Sequence, residues 1–305
     1  LFLSIGAYIL KDASEIYADA VDRANFCRTH SADASDRNSH FEVYNHTIHD
    51  KREYHKKLLE MAQPALEKKH FKMFLQPKYE LEHETLAGAE ALVRWQDPEE
   101  GMMPVYEFVP LFEKNGFMRQ IDYFIFESAL ELIEKWMDEG IEPLKISVNL
   151  SKSHFSANNF FEERVLPIFE RHRVPRQYIE FEISESIMLD NSGSLIKFVR
   201  SLREQGFECS MDDFGSGYSS LNMLKSLPVS TIKLDQKLFS EEEKERGKIV
   251  SRGIIQIARQ LDMKVVAEGV ETREYVDFLK EQKCDMIQGY YFGRPMPVDE
   301  FCKRM

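Results

Sequence analysis

Polar side chains stand at the ends of most short apolar runs in the second part of this sequence. If those runs are parallel β-strands, their carboxyl ends converge on one face, where the catalytic residues of barrel enzymes lie. Carboxylates gathered there would repel one another or bind protons. Mg²⁺ or Mn²⁺ would relieve this repulsion, because oxygen ligands suit hard cations, whereas Zn²⁺ prefers His or Cys. The residues are Glu90, Asn149, Glu182, Asp212, Asp213, Lys233, Asp235, Glu268 and Gln288.

Acidic residues also end strands simply because strands end at the surface, and for any single residue this is the better interpretation. For the whole set this interpretation is not the better one, because the residues end consecutive runs. The adjacent pair Asp212 and Asp213 is the most specific feature, since neighbouring side chains at a strand end can splay to either side. One carboxylate could then contact two cations while the other contacts one. The sequence has no Walker A motif and no HExxH motif.

From residue 70 onward, short apolar runs alternate with longer amphipathic segments, which is the pattern of repeated βα units. Eight such runs predict an α/β fold of the (β/α)8 TIM-barrel type. A doubly wound open sheet is the alternative, because a count of strands does not prove closure. The eight predicted strands are FKMFLQP, LAGAEALV, KISVNL, YIEFEI, ECSMDD, TIKLD, KVVAEG and MIQGYYF.

The first part of the chain is small and has a different pattern. Residues 1–10 are predicted to form a strand, SEIYADAVDRANFCRTH a helix, FEVYN a second strand and HDKREYHKKLLEMA a charged linking helix. Roughly 45 residues are too few for an independent hydrophobic core, so this part is interpreted as the end of another, α+β domain. The predicted boundaries are an N-terminal fragment over 1–46, a linking helical segment over 47–69 and a barrel over 70–305.

The net charge of −12 makes a long nucleic acid a poor partner, because phosphate backbones bind clustered Lys and Arg. A small phosphate ligand can still bind where divalent cations lie between it and the carboxylates. The four cysteines are scattered without a CxxC pair, which indicates reduced thiols in the cytoplasm and no structural zinc. No apolar run approaches the ~20 residues that cross a bilayer, although segments outside this chain could tether the full-length protein to a membrane.

These residues, in this order, resemble the EAL domain family of cyclic di-GMP phosphodiesterases. The name-giving triplet begins at Glu90, and the VRW that follows it contains Arg94. The resemblance covers about residues 55–305 and implies a (β/α)8 barrel whose first strand, FKMFLQP, runs antiparallel to its neighbours. The other motifs, in family order, are FLQP, SVNLS, FEISES, MDDFGSGYSS, IKLD, VAEGVET and QGYYFGRPMP.

The resemblance implies two divalent cations, Mg²⁺ or Mn²⁺, on the face formed by the strand ends. Two such ions about 3.5–4 Å apart can share a water and lower its pKa well below that of bulk water. The resulting hydroxide would attack phosphorus in line, open one phosphodiester bond and give linear pGpG. The first cation would be held by Glu90, Asn149, Glu182 and Asp212, and the second by Asp212, Asp213 and Glu268.

Other residues match family positions with different roles. Lys233 would position or deprotonate the attacking water, and Glu185 would steady the loop after the Asp pair. These two and Glu268 are the predicted catalytic residues. Glu271 and Asp235 match motif positions whose roles are left open. The predicted substrate contacts are Gln76, Arg94 and Gln288, of which Arg94 would offer a forked donor to a phosphate.

The segment SIGAYIL followed by ADAVDRA resembles the C-terminal end of a diguanylate cyclase (GGDEF) domain, whose signature loop is absent from this chain. The expected partners are cyclic di-GMP, a second barrel in a homodimer, and other domains of the full-length protein. Three alternatives remain open, because a fold alone does not fix function. They are a catalytically silent cyclic di-GMP receptor, a barrel hydrolase acting on another phosphodiester, and a dimerisation or regulatory platform for the neighbouring domain.

Overall fold

A computed structural model gives the structure of the chain, which divides into two units, Leu1–Pro64 and Ala65–Met305. None of the described helices is long and apolar enough to span a membrane. The residues that the structure describes are 3–10, 15–30, 40–156, 159–216, 224–225, 228–239 and 244–305.

The first unit contains a strand, a helix and a second strand, in the predicted order. Strands β1 (Ser4–Ala7) and β2 (His40–Val43) pair in parallel, and helix α1 (Tyr17–His30) lies between them in the chain. Gly6 permits the close approach of α1 to β1, because a Cβ atom there would lie 1.9 Å from a carbonyl oxygen of the helix. Helix α2 covers His46–Glu67.

The second unit is a closed barrel of eight strands with helices around it. In order around the barrel, the strands are β3 (Phe71–Glu80), β4 (Thr85–Asp97), β6 (Lys145–Asn149), β7 (Ile179–Ser184), β8 (Glu208–Phe214), β9 (Thr231–Leu234), β10 (Lys264–Ala267) and β11 (Met286–Gln288). Strand β3 is antiparallel to both neighbours, β4 and β11, and its two pairings close the barrel. All other neighbours are parallel. The predicted barrel with a reversed first strand is confirmed, and the open-sheet alternative is wrong.

Two short strands extend the barrel beyond the prediction. Strand β5 (Gly101–Met103) pairs with the end of β4, and strand β12 (Met296–Pro297) pairs with the first half of β3. The parallel pairing of β4 with β6 ends at Ala91. Beyond that residue β4 continues against β3 and β5 instead, so β4 is longer than the predicted run LAGAEALV.

Helices follow most of the parallel strands. Helix α3 (Val105–Asn115) ends where Gly116 adopts a left-handed conformation, φ 80°, which glycine tolerates best. Helix α8 (Arg273–Glu281) begins after Thr272, whose hydroxyl oxygen accepts a hydrogen bond from the Tyr275 backbone N–H at 3.4 Å. The remaining helices are α4 (Met118–Asp138), α5 (Leu166–Glu170), α6 (Glu185–Glu204), α7 (Lys244–Gln260) and α9 (Val298–Phe301).

The barrel strands are buried on both faces, which explains their almost continuous apolar sequences. Ile146 and Val148 of β6 point to one face and Ser147 to the other, yet all three are buried. Lys233 of β9 is likewise buried between Ile232 and Leu234. Buried polar side chains interrupt this pattern, and each needs a polar partner to be stable. In the barrel strands they include Lys78, Ser147, Glu180, Glu182, Ser210, Thr231 and Lys233.

Candidate active site

Carboxylates from four strands meet at the end of the barrel where the parallel strands terminate. Glu90, Glu182 and Asp212 each place one oxygen within 4.8 Å of the others. Asp212, Asp213 and Glu268 do the same, so that Asp212 belongs to both groups. The structure therefore brings five of the predicted metal ligands together in two adjacent groups of oxygen donors.

The adjacent pair Asp212 and Asp213 owes its geometry to an irregularity in β8. The register between β8 and β9 shifts between Met211 and Phe214, and Asp213 takes a left-handed conformation with φ 58°. In a regular strand, successive side chains point to opposite faces. The irregularity instead lets both carboxylates reach one group of ligands. The Asp213 N–H donates to Asp212 Oδ1 at 2.9 Å, and the Ser184 hydroxyl donates to Asp213 Oδ2 at 3.4 Å.

The Lys233 ammonium lies among these carboxylates and is almost completely buried. Its Nζ contacts Glu268 Oε1 at 2.7 Å, Asp212 Oδ1 at 3.0 Å and Glu90 Oε2 at 3.2 Å. It also donates a short hydrogen bond to Glu182 Oε2. Burial lowers the pKa of Lys233, but the surrounding carboxylates together raise it by more. The pKa of Lys233 is therefore well above its ordinary value. Lys233 is therefore a charged ammonium among at least four acidic groups.

One lysine does not neutralise all the acidic groups around it, and their pKa values reflect this. Burial raises the pKa of Glu182, but Lys233 and Lys78 lower it to about 2. Burial, together with the charge of Glu182, raises the pKa of Glu90. Burial also raises the pKa of Glu268 well above its usual range, despite the contact with Lys233. The cluster thus holds more potential negative charge than its lysines offset.

Asn149 and the predicted substrate residues adjoin Glu90. The Asn149 amide donates to Glu90 Oε1 at 2.8 Å. The Gln288 amide donates to Glu90 Oε2 at 2.6 Å and to Gln76 Oε1 at 3.1 Å. The buried Gln288 therefore orients a predicted metal ligand, a contact that the sequence did not indicate. Arg94 is half-buried, and its guanidinium donates to the Val93 carbonyl oxygen at 2.7 Å.

Glu185 lies at the first position of α6, directly after β7. It is buried, and its Oε2 accepts a hydrogen bond from the Gly215 N–H at 3.3 Å. Gly215 has φ 95°, a backbone conformation that glycine adopts without strain. The structure thus places Glu185 against the start of the segment after the Asp pair. Residues 217–223, which include the rest of the predicted loop, lie outside the described part of the chain.

Two cavities meet at the Asp pair. One of about 420 Å³ is lined by Arg94, Asn149 and apolar side chains such as Val109 and Ile187. The other, of about 270 Å³, is lined by polar residues, and both cavities reach Asp212 and Asp213. The first volume falls within the ~300–1,000 Å³ of small-molecule sites, and the second lies just below that range. The polar residues of the second cavity include Gln76, Glu90, Asp235, Glu268, Glu271 and Gln288.

Some residues that hold the site in place were not indicated by the sequence. Asp122 of α4 accepts hydrogen bonds from the Ser151 N–H at 3.0 Å and from His154 Nε2 at 2.9 Å, so it fixes the segment that follows Asn149. Lys78 of β3 is buried against Glu182. No local pattern distinguishes either residue, because their partners are distant in sequence. Only the periodicity of α4 could have placed Asp122 on a buried face.

Comparison with known proteins identifies the family. The model of the EAL domain matches residues 59–295, so the chain belongs to the EAL domain family. The bifunctional diguanylate cyclase/cyclic di-GMP phosphodiesterase MucR of Pseudomonas aeruginosa is 35% identical over 245 residues, which are 80% of this chain and 36% of MucR. The cyclic di-GMP phosphodiesterase NbdA of the same organism is 33% identical over 240 residues, which are 78% of this chain and 30% of NbdA.

A solved structure shares the fold of the second unit. The MucR phosphodiesterase in complex with c-di-GMP is 33% identical, with a TM-score of 0.75, and the match covers 80% of this chain and 99% of that one. The chain spans about a third of the length of the curated relatives it matches.

Proposed function

We propose that this chain is a metal-dependent phosphodiesterase that hydrolyses cyclic di-GMP to linear pGpG. The observation that carries the proposal is the pair of carboxylate groups that share Asp212. They lie in a barrel whose relatives are named as cyclic di-GMP phosphodiesterases. The alternative is a catalytically silent cyclic di-GMP receptor, since some proteins keep a fold without its activity.

The donor set fits Mg²⁺ or Mn²⁺. All the donors are oxygen atoms. The pKa values of Glu90 and Glu268 are raised first by burial and then by neighbouring carboxylates, and a cation would offset the charge of these groups. When bound, the cations would lower the pKa of a water molecule and offset charge on the phosphate oxygens. One cation would be held by Glu90, Asn149, Glu182 and Asp212, and the other by Asp212, Asp213 and Glu268.

Lys233 would position or deprotonate the attacking water. Its Nζ lies within 3.2 Å of carboxylate oxygens of Glu90, Asp212 and Glu268, so it reaches the proposed cation ligands. Arg94 lines the larger cavity and would donate to a phosphate oxygen. Glu185 would hold the segment after the Asp pair through Gly215. Gln288 would contact the substrate and would also orient Glu90, to which its amide donates a hydrogen bond.

The two cavities suit a ligand with two bases and a phosphodiester between them. Both include Asp212 and Asp213 in their walls, so the scissile phosphate would lie between the cavities. The larger one has apolar side chains that would contact the faces of a base. Hydrolysis transfers the oxygen of water to phosphorus, breaks one P–O bond of the ring and leaves a sugar hydroxyl that takes up a proton.

The domain organisation expected from the sequence stays a prediction. Residues 1–46 would be the C-terminal fragment of a GGDEF-like domain, 47–69 a linking segment and 70–305 the phosphodiesterase barrel. The parallel strands β1 and β2 with α1 between them are compatible with such a fragment. Homodimerisation through the barrel, a cytoplasmic location and contacts with other domains of a longer protein remain predictions.

The proposal is tested by incubating the chain with cyclic di-GMP and Mg²⁺ or Mn²⁺ and separating the products by chromatography. We expect pGpG from the wild type and from the control Glu99→Ala, whose side chain is exposed. We expect none from Glu90→Ala. Tight binding without turnover at every protein concentration would favour the receptor, and neither binding nor turnover would reject the proposal.

A further inference from the structure

Lys78 is a second buried lysine within the barrel, and the mechanism described above gives it no role. It lies in β3, in register with Gly88 of β4 and Gln288 of β11. Its side chain is only 5% exposed. Nζ donates to Glu182 Oε1 at 2.7 Å and to Ser147 Oγ at 2.7 Å. A charged group in such a position is stable only when its partners are well placed.

The two oxygens of Glu182 are held by two different lysines. Oε1 accepts from Lys78 of β3, whereas Oε2 accepts from Lys233 of β9. Glu182 is completely buried, so water cannot replace either partner. Rotation of the carboxylate would break an ion pair, and its orientation is therefore fixed. The oxygen that faces Lys233 is on the same side as Glu90 and Asp212, which Lys233 also contacts.

Lys78, which contacts the Glu182 oxygen that Lys233 does not, is itself held in place by further side chains. The Ser147 hydroxyl accepts one of its hydrogen bonds, and Glu180 Oε2 lies 3.8 Å from Nζ. Ser147 and Glu180 are both buried and belong to the neighbouring strands β6 and β7. The position of Nζ is thus determined by three side chains from the barrel interior rather than by one flexible contact.

We propose that Lys78 is a positioning residue that holds one oxygen of Glu182 so that the other is presented to the divalent cation. The inference rests on the proposed function, because it assumes that Glu182 is a metal ligand. It goes beyond that function in assigning a task to a residue outside the carboxylate cluster. Partners that orient metal ligands typically contribute 10–100-fold to metal affinity.

A purely electrostatic role for Lys78 predicts the opposite effect. Removal of a positive charge near the carboxylates would by itself strengthen cation binding. If Mn²⁺ binds more weakly when Lys78 is replaced, the cause is therefore the lost orientation of the Glu182 carboxylate and not the lost charge of Lys78. The sign of the change separates a positioning residue from a counter-charge that merely stabilises buried Glu180 and Glu182.

The experiment is a Mn²⁺ titration followed by electron paramagnetic resonance of the free ion, with unfolding curves recorded for each variant. Lys78→Met is compared with Lys72→Met, which removes an exposed lysine from the same strand. We expect Mn²⁺ affinity to fall ~10–100-fold in Lys78→Met and to stay unchanged in Lys72→Met. Ser147→Ala, which removes only a neutral partner of Lys78, should weaken the affinity ~2–10-fold.

A folded Lys78→Met variant with Mn²⁺ affinity equal to or tighter than the wild type overturns the proposal. If Lys78→Met does not fold, Ser147→Ala decides, and an affinity within twofold of the wild type is then the overturning result. Failure of the wild type to bind Mn²⁺ would instead remove the proposed function, and the role of Lys78 with it. The two failures are therefore distinguishable.

Discussion

Replacement of Asp213 by Asn should stabilise the protein in the absence of divalent cations while abolishing turnover. Burial, with the charges of Asp212 and Asp235, raises the pKa of Asp213 to about 6 from the ordinary 3.8. At ~1.4 kcal/mol per pKa unit, that difference corresponds to at most ~3 kcal/mol. Because the carboxyl group is partly open to water, we halve this to ~1.5 kcal/mol. Asn has no charge and avoids the penalty.

The stabilisation should depend on pH in a defined direction. A carboxyl group whose pKa is raised on folding binds its proton more tightly in the folded state than in the unfolded state. Below the ordinary pKa of 3.8 both states are protonated and there is no penalty. As the pH rises from there to about 6 the penalty grows, and above 6 it is complete. At pH 4.5 it should be only about a third of its value at pH 7.5.

Urea unfolding of the wild type and Asp213→Asn in EDTA, at pH 4.5 and pH 7.5, measures this effect. Asp262→Asn is the matched control, since Asp262 has nearly the same left-handed backbone, φ 57°, but lies exposed on the surface. It reports any benefit of Asn in that conformation alone. Equal stabilisation of Asp213→Asn at both pH values, or a gain no larger than that of Asp262→Asn, would show that the charge of Asp213 does not destabilise the folded protein.

Two further variants test residues that stabilise the site. Lys233→Met should lower turnover by ~100-fold or more. It should also lower the free energy of unfolding in EDTA by about 3 kcal/mol, because it leaves buried carboxylates without their partner; exposed Lys237→Met is the control. Asp122→Ala should lower the free energy of unfolding by about 1–3 kcal/mol, because the Ser151 N–H and His154 lose an acceptor. Urea unfolding checks both variants, and an unchanged midpoint for either would contradict its assignment.

The barrel could be predicted from the sequence because its strands are buried on both faces. Strands such as KISVN and TIKL are short, mostly buried runs with a polar side chain at or directly after the end, Asn149 and Asp235, and that pattern can be recognised without knowing the partner strands. The short strands β5 and β12 carry no such pattern. They form because the ends of β4 and β3 extend past their barrel partners and offer free hydrogen-bonding groups.

The position of the candidate ligands was only partly predictable. Glu90 was expected at the end of a strand, yet β4 continues to Asp97, and Glu90 lies instead near the point where the parallel pairing with β6 stops. The convergence of the carboxylates followed from barrel geometry alone. The contact of Gln288 with Glu90 and the burial of Lys78 against Glu182 join residues more than 100 positions apart. No local pattern encodes such contacts.

We propose that the carboxylates around Lys233 hold divalent cations that are required to cleave cyclic di-GMP. The most direct test is to remove cations with EDTA, add back Mn²⁺ in steps, and measure bound Mn²⁺ and pGpG formation in the same samples. We predict no turnover in EDTA, and turnover that appears as a second Mn²⁺ per chain binds. Full turnover in EDTA, or Mn²⁺ binding without any effect on the rate, would show that these cations are not required for cleavage.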